Sequence, residues 1–309
     1  MTRRFVIGIV SAVIFIAGMT LAADLIGCHE IFFPEILALA MGCFVMPRRP
    51  WNVTPVRLFL TMTVGAWLGW GLLQAEVVPT SVLMLFGFFL CGLWLFSAGT
   101  NMVPMLSACL LPLMLRRASI VYPISISTLT FLLLFLEHVL VKSGLRDQQP
   151  YERPAFDWRR FLIRWSLLTL LLSFLLVPAI NLGGFWGVPP LVVGFTAFAD
   201  QKRPLRRRFF QGITVFIVAA LLGAGGAWLS SQLPVVPRCI VTGCLTGIFL
   251  LFCRSISYFM PPSGAVLMLP FLLPPESLYL YAFQVPIGAI CFLTAGRFFS
   301  WGEEHYFSR

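Results

Sequence analysis

Apolar and polar residues alternate along this chain in long blocks rather than residue by residue. Continuous apolar runs recur from end to end, at 5–23, 58–73, 81–98, 124–136, 165–180, 213–229 and 239–253. An α-helix needs about 20 apolar residues to cross the hydrocarbon core of a bilayer. Membrane β-barrel strands alternate polar and apolar residues instead. The pattern therefore predicts an all-α polytopic membrane protein.

Composition and charge agree with that prediction. Of the 309 residues 59% are hydrophobic and only 11% are charged, whereas soluble domains carry about 25% charged residues. The net charge of +10 would also suit nucleic acid, but the basic residues lie in short loops between apolar runs, where they orient membrane proteins. We therefore expect a lipid bilayer as partner and no nucleic acid.

The first apolar run follows Arg3 and Arg4 and so resembles a secretory signal. Its apolar core of about 19 residues exceeds the 7–15 typical of a signal peptide, and further apolar runs follow it. We interpret it as a retained first membrane helix.

The chain contains an internal repeat. Its basic start recurs 156 residues later, and prolines recur in the same order at similar offsets. The matched pairs are Arg3 and Arg159, Arg4 and Arg160, Phe5 and Phe161, Pro34 and Pro190, Pro50 and Pro204, Pro104 and Pro262, and Pro112 and Pro270. Such spacing predicts two copies of one unit. We expect a first membrane repeat at 1–141, a cytoplasmic linker at 142–158 and a second membrane repeat at 159–309.

Each repeat holds about six membrane segments. With the N-terminus in the cytoplasm, the basic loops around 48–57, 142–164 and 202–208 fall on the cytoplasmic side, as the distribution of Lys and Arg requires. The exceptions are Arg116, Arg117, Arg238 and Arg254. Six crossings return the chain to its starting side, so the two repeats are predicted to be parallel, with both termini cytoplasmic.

Two segments in each repeat are short and begin at prolines. They cover 34–46, 102–115, 190–200 and 260–273, or about 20 Å of helix each. Short or Pro-interrupted segments at matching places in two halves are typical of a transport site, which makes Pro34, Pro104, Pro190 and Pro262 candidate pathway residues. The alternative is that these are tilted or thinned helices without a special role.

Three charged residues are candidates for coupling or substrate attraction. Glu35 follows Pro34 in the first turn of a short segment, and Asp24 lies near the outer mouth. Either carboxylate could bind a proton inside the membrane, or could be an interfacial cap. Arg254 could attract an anionic substrate, or could extend to the membrane surface. Glu137 and His138 are expected to face lipid headgroups.

The sequence shows no sign of other chemistry. It contains neither a nucleotide-binding nor a catalytic signature, and the spacing of its three histidines suits no metal site. We therefore expect no enzyme activity, no catalytic residue, no metal and no cofactor.

A family resemblance follows from the order of these segments. The basic start, the Pro-led segments "FFPEILALAMGCFVMPRRP" and "VPPLVVGFTAFADQKRP", and the glycine-rich helix after each resemble the fusaric-acid-resistance and aromatic-acid-exporter superfamily, in its small branch without a cytoplasmic domain. That resemblance implies an efflux permease working with a periplasmic membrane-fusion adaptor. The stretch "YFMPPSGAVLMLP" resembles the HPP membrane family more weakly, because Met260 stands where that family has histidine.

Together these features predict a multi-pass transporter of the bacterial inner membrane. Its expected substrate is a small aromatic or anionic molecule, exported with possible coupling to protons. The alternative is a membrane scaffold or assembly subunit of an envelope complex that transports nothing. A homo-oligomer is compatible with either function.

Overall fold

A computed structural model describes residues 3–153, 157–200, 208–233 and 235–306, and this part of the chain is all helical, without a β-strand. It forms twelve α-helices, whose bounds are α1 Arg3–Ile26, α2 Glu35–Ala40, α3 Pro55–Leu73, α4 Thr80–Ser97, α5 Pro104–Leu115, α6 Val121–Lys142, α7 Trp158–Asn181, α8 Pro189–Ala199, α9 Phe209–Gln232, α10 Arg238–Ser255, α11 Pro261–Met268 and α12 Leu278–Tyr306. A π turn, Met41–Val45, extends α2, and a 3₁₀ turn, Leu269–Leu272, extends α11.

Eight of these helices are long and apolar enough to cross a membrane: α1, α3, α4, α6, α7, α9, α10 and α12. Each buries one face and exposes another that is also apolar. On α1, for example, Ala12 and Ile16 are buried while Val10 and Ile14 are exposed. An apolar outer surface on so many helices requires a lipid environment. The prediction of a multi-pass α-helical membrane protein is therefore confirmed.

The four remaining helices, α2, α5, α8 and α11, are short and lie in the centre. All residues of α2, α8 and α11 are buried, and α5 is buried from Pro104 to Leu113. Contacts of α2 with α11, α11 with α8, α8 with α5 and α5 with α2 close them into a ring. At 1.5 Å per residue, the 12 residues of α5 span only about 18 Å, less than a bilayer core. The short helices therefore cannot span a bilayer by themselves and are embedded among the long helices.

Two short helices begin halfway along a long neighbour. Gly65 of α3 packs against Met105 of α5, and Gly69 packs against Cys109 one turn later. Thus α5 runs parallel to α3 and begins level with its middle. α11 lies in the same manner along α9. The start of each helix is therefore deep inside the protein.

The other two short helices run in the opposite direction. The N–H of Phe33 lies 3.4 Å from the sulfur of Met19, and Gly8 packs against Phe44. Hence α2 runs antiparallel to α1 and begins near Met19 rather than level with the end of α1 at Ile26. α8 runs parallel to α12 and begins part of the way along it. All four short helices thus begin near the centre, and two of them run toward each face of the protein.

Ion pairs show which helix ends lie close together. Arg164 near the start of α7 pairs with Glu303 near the end of α12 at 2.8 Å, and Arg4 of α1 pairs at 2.9 Å with Asp147, which follows α6. We call the face of the protein that holds these helix ends, including the start of α1, the N-terminal face. Arg254 lines a cavity there with Arg4 and Asp147. The expectation that Arg254 lies on the other side was wrong, because α10 runs toward the N-terminal face.

Candidate functional site

The first turns of the four short helices meet at one point, which we call the central junction. Each helix contributes two side chains three residues apart, as one helical face requires. The eight residues are Glu35, Ala38, Pro104, Ser107, Pro190, Val193, Pro262 and Ala265. They enclose a cavity of about 10 Å³, at the lower limit for one ordered water molecule. The centre of the protein is therefore closed in this structure.

Glu35 is the ionisable residue of the central junction. Its side chain is 1% exposed, and Ser107 donates a short hydrogen bond to its Oε1 atom. Its Oε2 atom is buried without a hydrogen-bond partner, and none of the ion pairs among the described residues includes Glu35. Leaving a buried polar atom unsatisfied costs about 1–3 kcal/mol. Such a residue within a membrane protein is a functional candidate by default.

Prolines explain how helices can begin at this depth. The first N–H groups of a helix have no partner within it, which is costly where water is absent. Proline has no N–H and fits the first turn without strain, and it stands at the start of α5, α8 and α11. In the first turn of α2, the N–H of Ile36 donates to the carbonyl of Phe33 at 3.0 Å. The junction thus offers few backbone donors, and its chemistry comes from Glu35 and Ser107.

The structure brings together four of the residues selected from sequence. Glu35, Pro104, Pro190 and Pro262 all line the central junction, although they lie in four separate segments. The N-cap of α2 is Pro34, one residue before Glu35. The grouping makes the junction the strongest candidate site.

Two other candidates lie away from the junction. The carboxylate of Asp24 is 3.3 Å from the Nη1 atom of Arg238 at the face opposite the N-terminal face. Arg254 lies over the ring of Phe5, 5.1 Å from its centroid, at the N-terminal face. Neither residue takes part in the central cavity.

Sequence reasoning missed Ser107, which donates the hydrogen bond to Glu35. A signal for it exists, because Ser107 is three residues after Pro104 and so shares its helix face. A single serine in an apolar helix gives no warning by itself, since its hydroxyl usually bonds the carbonyl four residues earlier.

A second buried polar group, which we call the arginine–glutamate cluster, lies near the end of α2. It consists of Arg49, Glu137 and Arg146, whose side chains are 5%, 3% and 7% exposed. Arg49 Nε donates to Glu137 Oε1 at 2.9 Å, and Arg146 Nε lies 3.0 Å from the same oxygen. The expectation that Glu137 faces lipid headgroups was therefore wrong. It is buried because two arginines from other segments reach it.

The cluster also holds the end of α2 in place. In a π turn each carbonyl accepts from the N–H group five residues later, and for the carbonyl of Gly42 that residue is Pro47, which has no N–H. Arg146 supplies the missing donors, with hydrogen bonds of 2.8 Å to the carbonyl of Gly42 and 3.1 Å to that of Met46. A cation at a helix C-terminus is also favoured by the helix dipole. The segment that begins with Glu35 is thus fixed at its other end by arginine.

Within the described residues, no group of three His, Cys, Asp or Glu side chains could hold a metal ion.

Comparisons with protein-family models, curated proteins and solved structures find no significant match to this chain. The resemblance to the aromatic-acid-exporter superfamily therefore stays a prediction. The central junction is the feature of this protein from which a function can be inferred.

Proposed function

We propose that this protein is a transporter of the bacterial inner membrane whose pathway passes through the central junction, with Glu35 as the proton-binding group. The supporting observation is a buried carboxyl group with one free oxygen at the point where four membrane-embedded helices begin. Irregular backbone at membrane depth is typical of positions that line a transport route. A carboxylate there can carry a proton between the two sides.

We further propose that the two halves are parallel repeats, 1–141 and 159–309, joined by the linker 142–158. Matching contacts support this arrangement. The hydroxyl of Tyr122 donates to the carbonyl of Ala108 at 2.7 Å, and that of Tyr281 donates to the carbonyl of Val266 at 2.8 Å. The two tyrosines thus fasten the last helix of each half to its second short helix. The repeat alignment that pairs Pro34 with Pro190 places Leu191 opposite Glu35, and the residue of α8 that lines the cavity is Pro190, so coupling would use one half only.

The size of the central cavity bears on mechanism. About 10 Å³ cannot hold an aromatic acid, so transport requires the short helices to separate. We propose a small aromatic or anionic substrate and outward transport with a periplasmic adaptor. The tight packing of the junction favours the alternative function, a scaffold that transports nothing, and the experiment below separates the two.

Transport by the purified chain in lipid vesicles is the direct test. We expect movement of labelled aromatic carboxylates that depends on an imposed proton gradient, and we expect Glu35→Gln to abolish that dependence. The glutamine keeps the size and the hydrogen bond of the side chain but cannot exchange a proton. Glu76→Gln is the matched control, because Glu76 is an exposed carboxylate in the loop between α3 and α4.

Two results would contradict the proposal. One is a correctly folded native protein that moves none of these compounds with or without the imposed proton gradient, which would favour the scaffold. The other is a Glu35→Gln variant that keeps full gradient dependence, which would remove Glu35 from the coupling role.

Orientation in the membrane can be tested by cysteine labelling. Arg117 is exposed between α5 and α6, on the face opposite the N-terminal face, so Arg117→Cys should react with an impermeant reagent added outside intact cells. Lys142→Cys, at the end of α6, should react only after the membrane is opened. The native cysteines must be replaced first, since Cys244 and Cys291 are exposed. Labelling of Lys142→Cys from outside would reverse the proposed orientation.

A further inference from the structure

A second cavity opens at the N-terminal face, apart from the central junction. It has a volume of about 210 Å³ and lies between the start of α1, the end of the π turn after α2, the end of α10 and the residues that follow α6. Its lining includes Phe44 and Met46, at the end of the segment that starts with Glu35. Phe44 is nine positions after Glu35, or about 14 Å further along the helix.

The charge around this cavity is unbalanced. Three arginines line it, Arg4, Arg146 and Arg254, against one carboxylate, Asp147. Two of the arginines have acidic partners: Arg146 is held by Glu137, and Arg4 donates to both oxygens of Asp147 at 3.0 and 2.9 Å. The cavity therefore keeps an excess of positive charge.

Arg254 is the arginine available to a ligand. It is exposed, and no acidic side chain among the described residues pairs with it. Its guanidinium carbon lies 5.1 Å from the ring centroid of Phe5, and that ring meets Phe259 edge-on at 6.2 Å. The guanidinium is thus positioned by an aromatic face while its N–H groups keep the capacity to bind an oxyanion in the two-pronged manner typical of arginine.

We propose that this cavity binds an oxyanion, a carboxylate or a phosphate, with Arg254 as its main contact. The volume is below the 300–1,000 Å³ usual for drug-sized ligands, so a small anion fits. The rings of Phe5 and Phe259 would cover an apolar part of the ligand, which favours an aromatic carboxylate. The assignment of this anion as the transported substrate depends on the proposed function, whereas the binding site does not.

An oxyanion can reach this cavity from two sources. One is a soluble anion from the aqueous side. The other is the phosphate of an anionic lipid, because basic pockets between membrane helices at the surface also bind lipid headgroups. Both use the same guanidinium chemistry, and lipid composition separates them.

Binding by the full chain in nanodiscs tests the proposal. Benzoate and inorganic phosphate are titrated into discs of phosphatidylcholine alone, and retention of phosphatidylglycerol is measured in mixed discs by native mass spectrometry. We expect binding in at least one arm and at least about tenfold weaker binding for Arg254→Gln. Arg254→Lys should keep part of it, and Arg117→Gln, on the opposite face, should not change it. Thermal unfolding checks that each variant is folded.

Each outcome has a defined meaning. Arg254-dependent binding of benzoate or phosphate assigns a soluble anion, and Arg254-dependent retention of phosphatidylglycerol alone assigns a lipid. Unchanged binding in the folded Arg254→Gln variant, or no binding in any arm, overturns the site. A chain that binds benzoate through Arg254 but never moves it across vesicles would overturn the proposed function and leave this site intact.

Discussion

Replacement of Glu137 by alanine should lower the free energy of unfolding by about 3–5 kcal/mol, because it leaves two buried arginines without a counter-charge. Arg49 and Arg146 both contact this carboxylate, and all three side chains are almost fully buried. The hydrogen bonds of Arg146 to the end of α2 should weaken as well.

His138→Ala is the matched control for this prediction. His138 is the next residue on α6 and is exposed, so its removal should change stability by less than about 0.5 kcal/mol. Unfolding of both variants in the same detergent, by heat or denaturant, gives the comparison. Equal stability of Glu137→Ala and His138→Ala would show that the cluster contributes nothing to folding.

The helices themselves could be predicted from the sequence. The short segments expected at 102–115 and 190–200 correspond to α5 and α8, which begin and end within two residues of those limits. The reason is physical: apolar length must match the bilayer, and proline marks a helix start. Both signals are local and need no knowledge of the fold.

Contacts between distant segments could not be predicted in this way. Ser107 reaches Glu35 across 72 positions, and nothing local in α5 indicates that its first turn faces that of α2. The burial of Glu137 could not be predicted for the same reason. A carboxylate near a helix end resembles a surface residue until Arg49 and Arg146 are placed beside it. A polar residue in a membrane helix is interpretable only with its partners.

Gly69→Ala should be a damaging single-methyl change at the contact between the long helix α3 and the short helix α5. A Cβ at Gly69 would overlap the backbone carbonyl of Cys109 in α5, and a backbone group cannot rotate away as a side chain can. Overpacking of this kind costs about 1–3 kcal/mol. In membrane proteins small residues allow such close helix approach. We expect reduced thermal stability and, if the central junction is the pathway, reduced transport.

The same helix offers a control. Gly71, two residues further along α3, has no atom within 4 Å of where its Cβ would lie. Alanine is favoured over glycine in helices by about 1 kcal/mol, so Gly71→Ala should leave stability unchanged or raise it. The difference between Gly69→Ala and Gly71→Ala therefore isolates the contact with α5 from helix propensity.

Helices α9 and α11 allow the same experiment to be repeated within one molecule. Gly223 of α9 faces the backbone carbonyl of Leu267 in α11, while Gly225 has open space around it. If the four short helices form one packed ring, Gly223→Ala should destabilise as Gly69→Ala does, and Gly225→Ala should not. Because all four variants add the same methyl group to a glycine in a long helix, the two pairs differ only in what that methyl meets. A loss of stability common to all four would mean that flexibility of the long helices, rather than their contact with the short ones, is what these glycines provide.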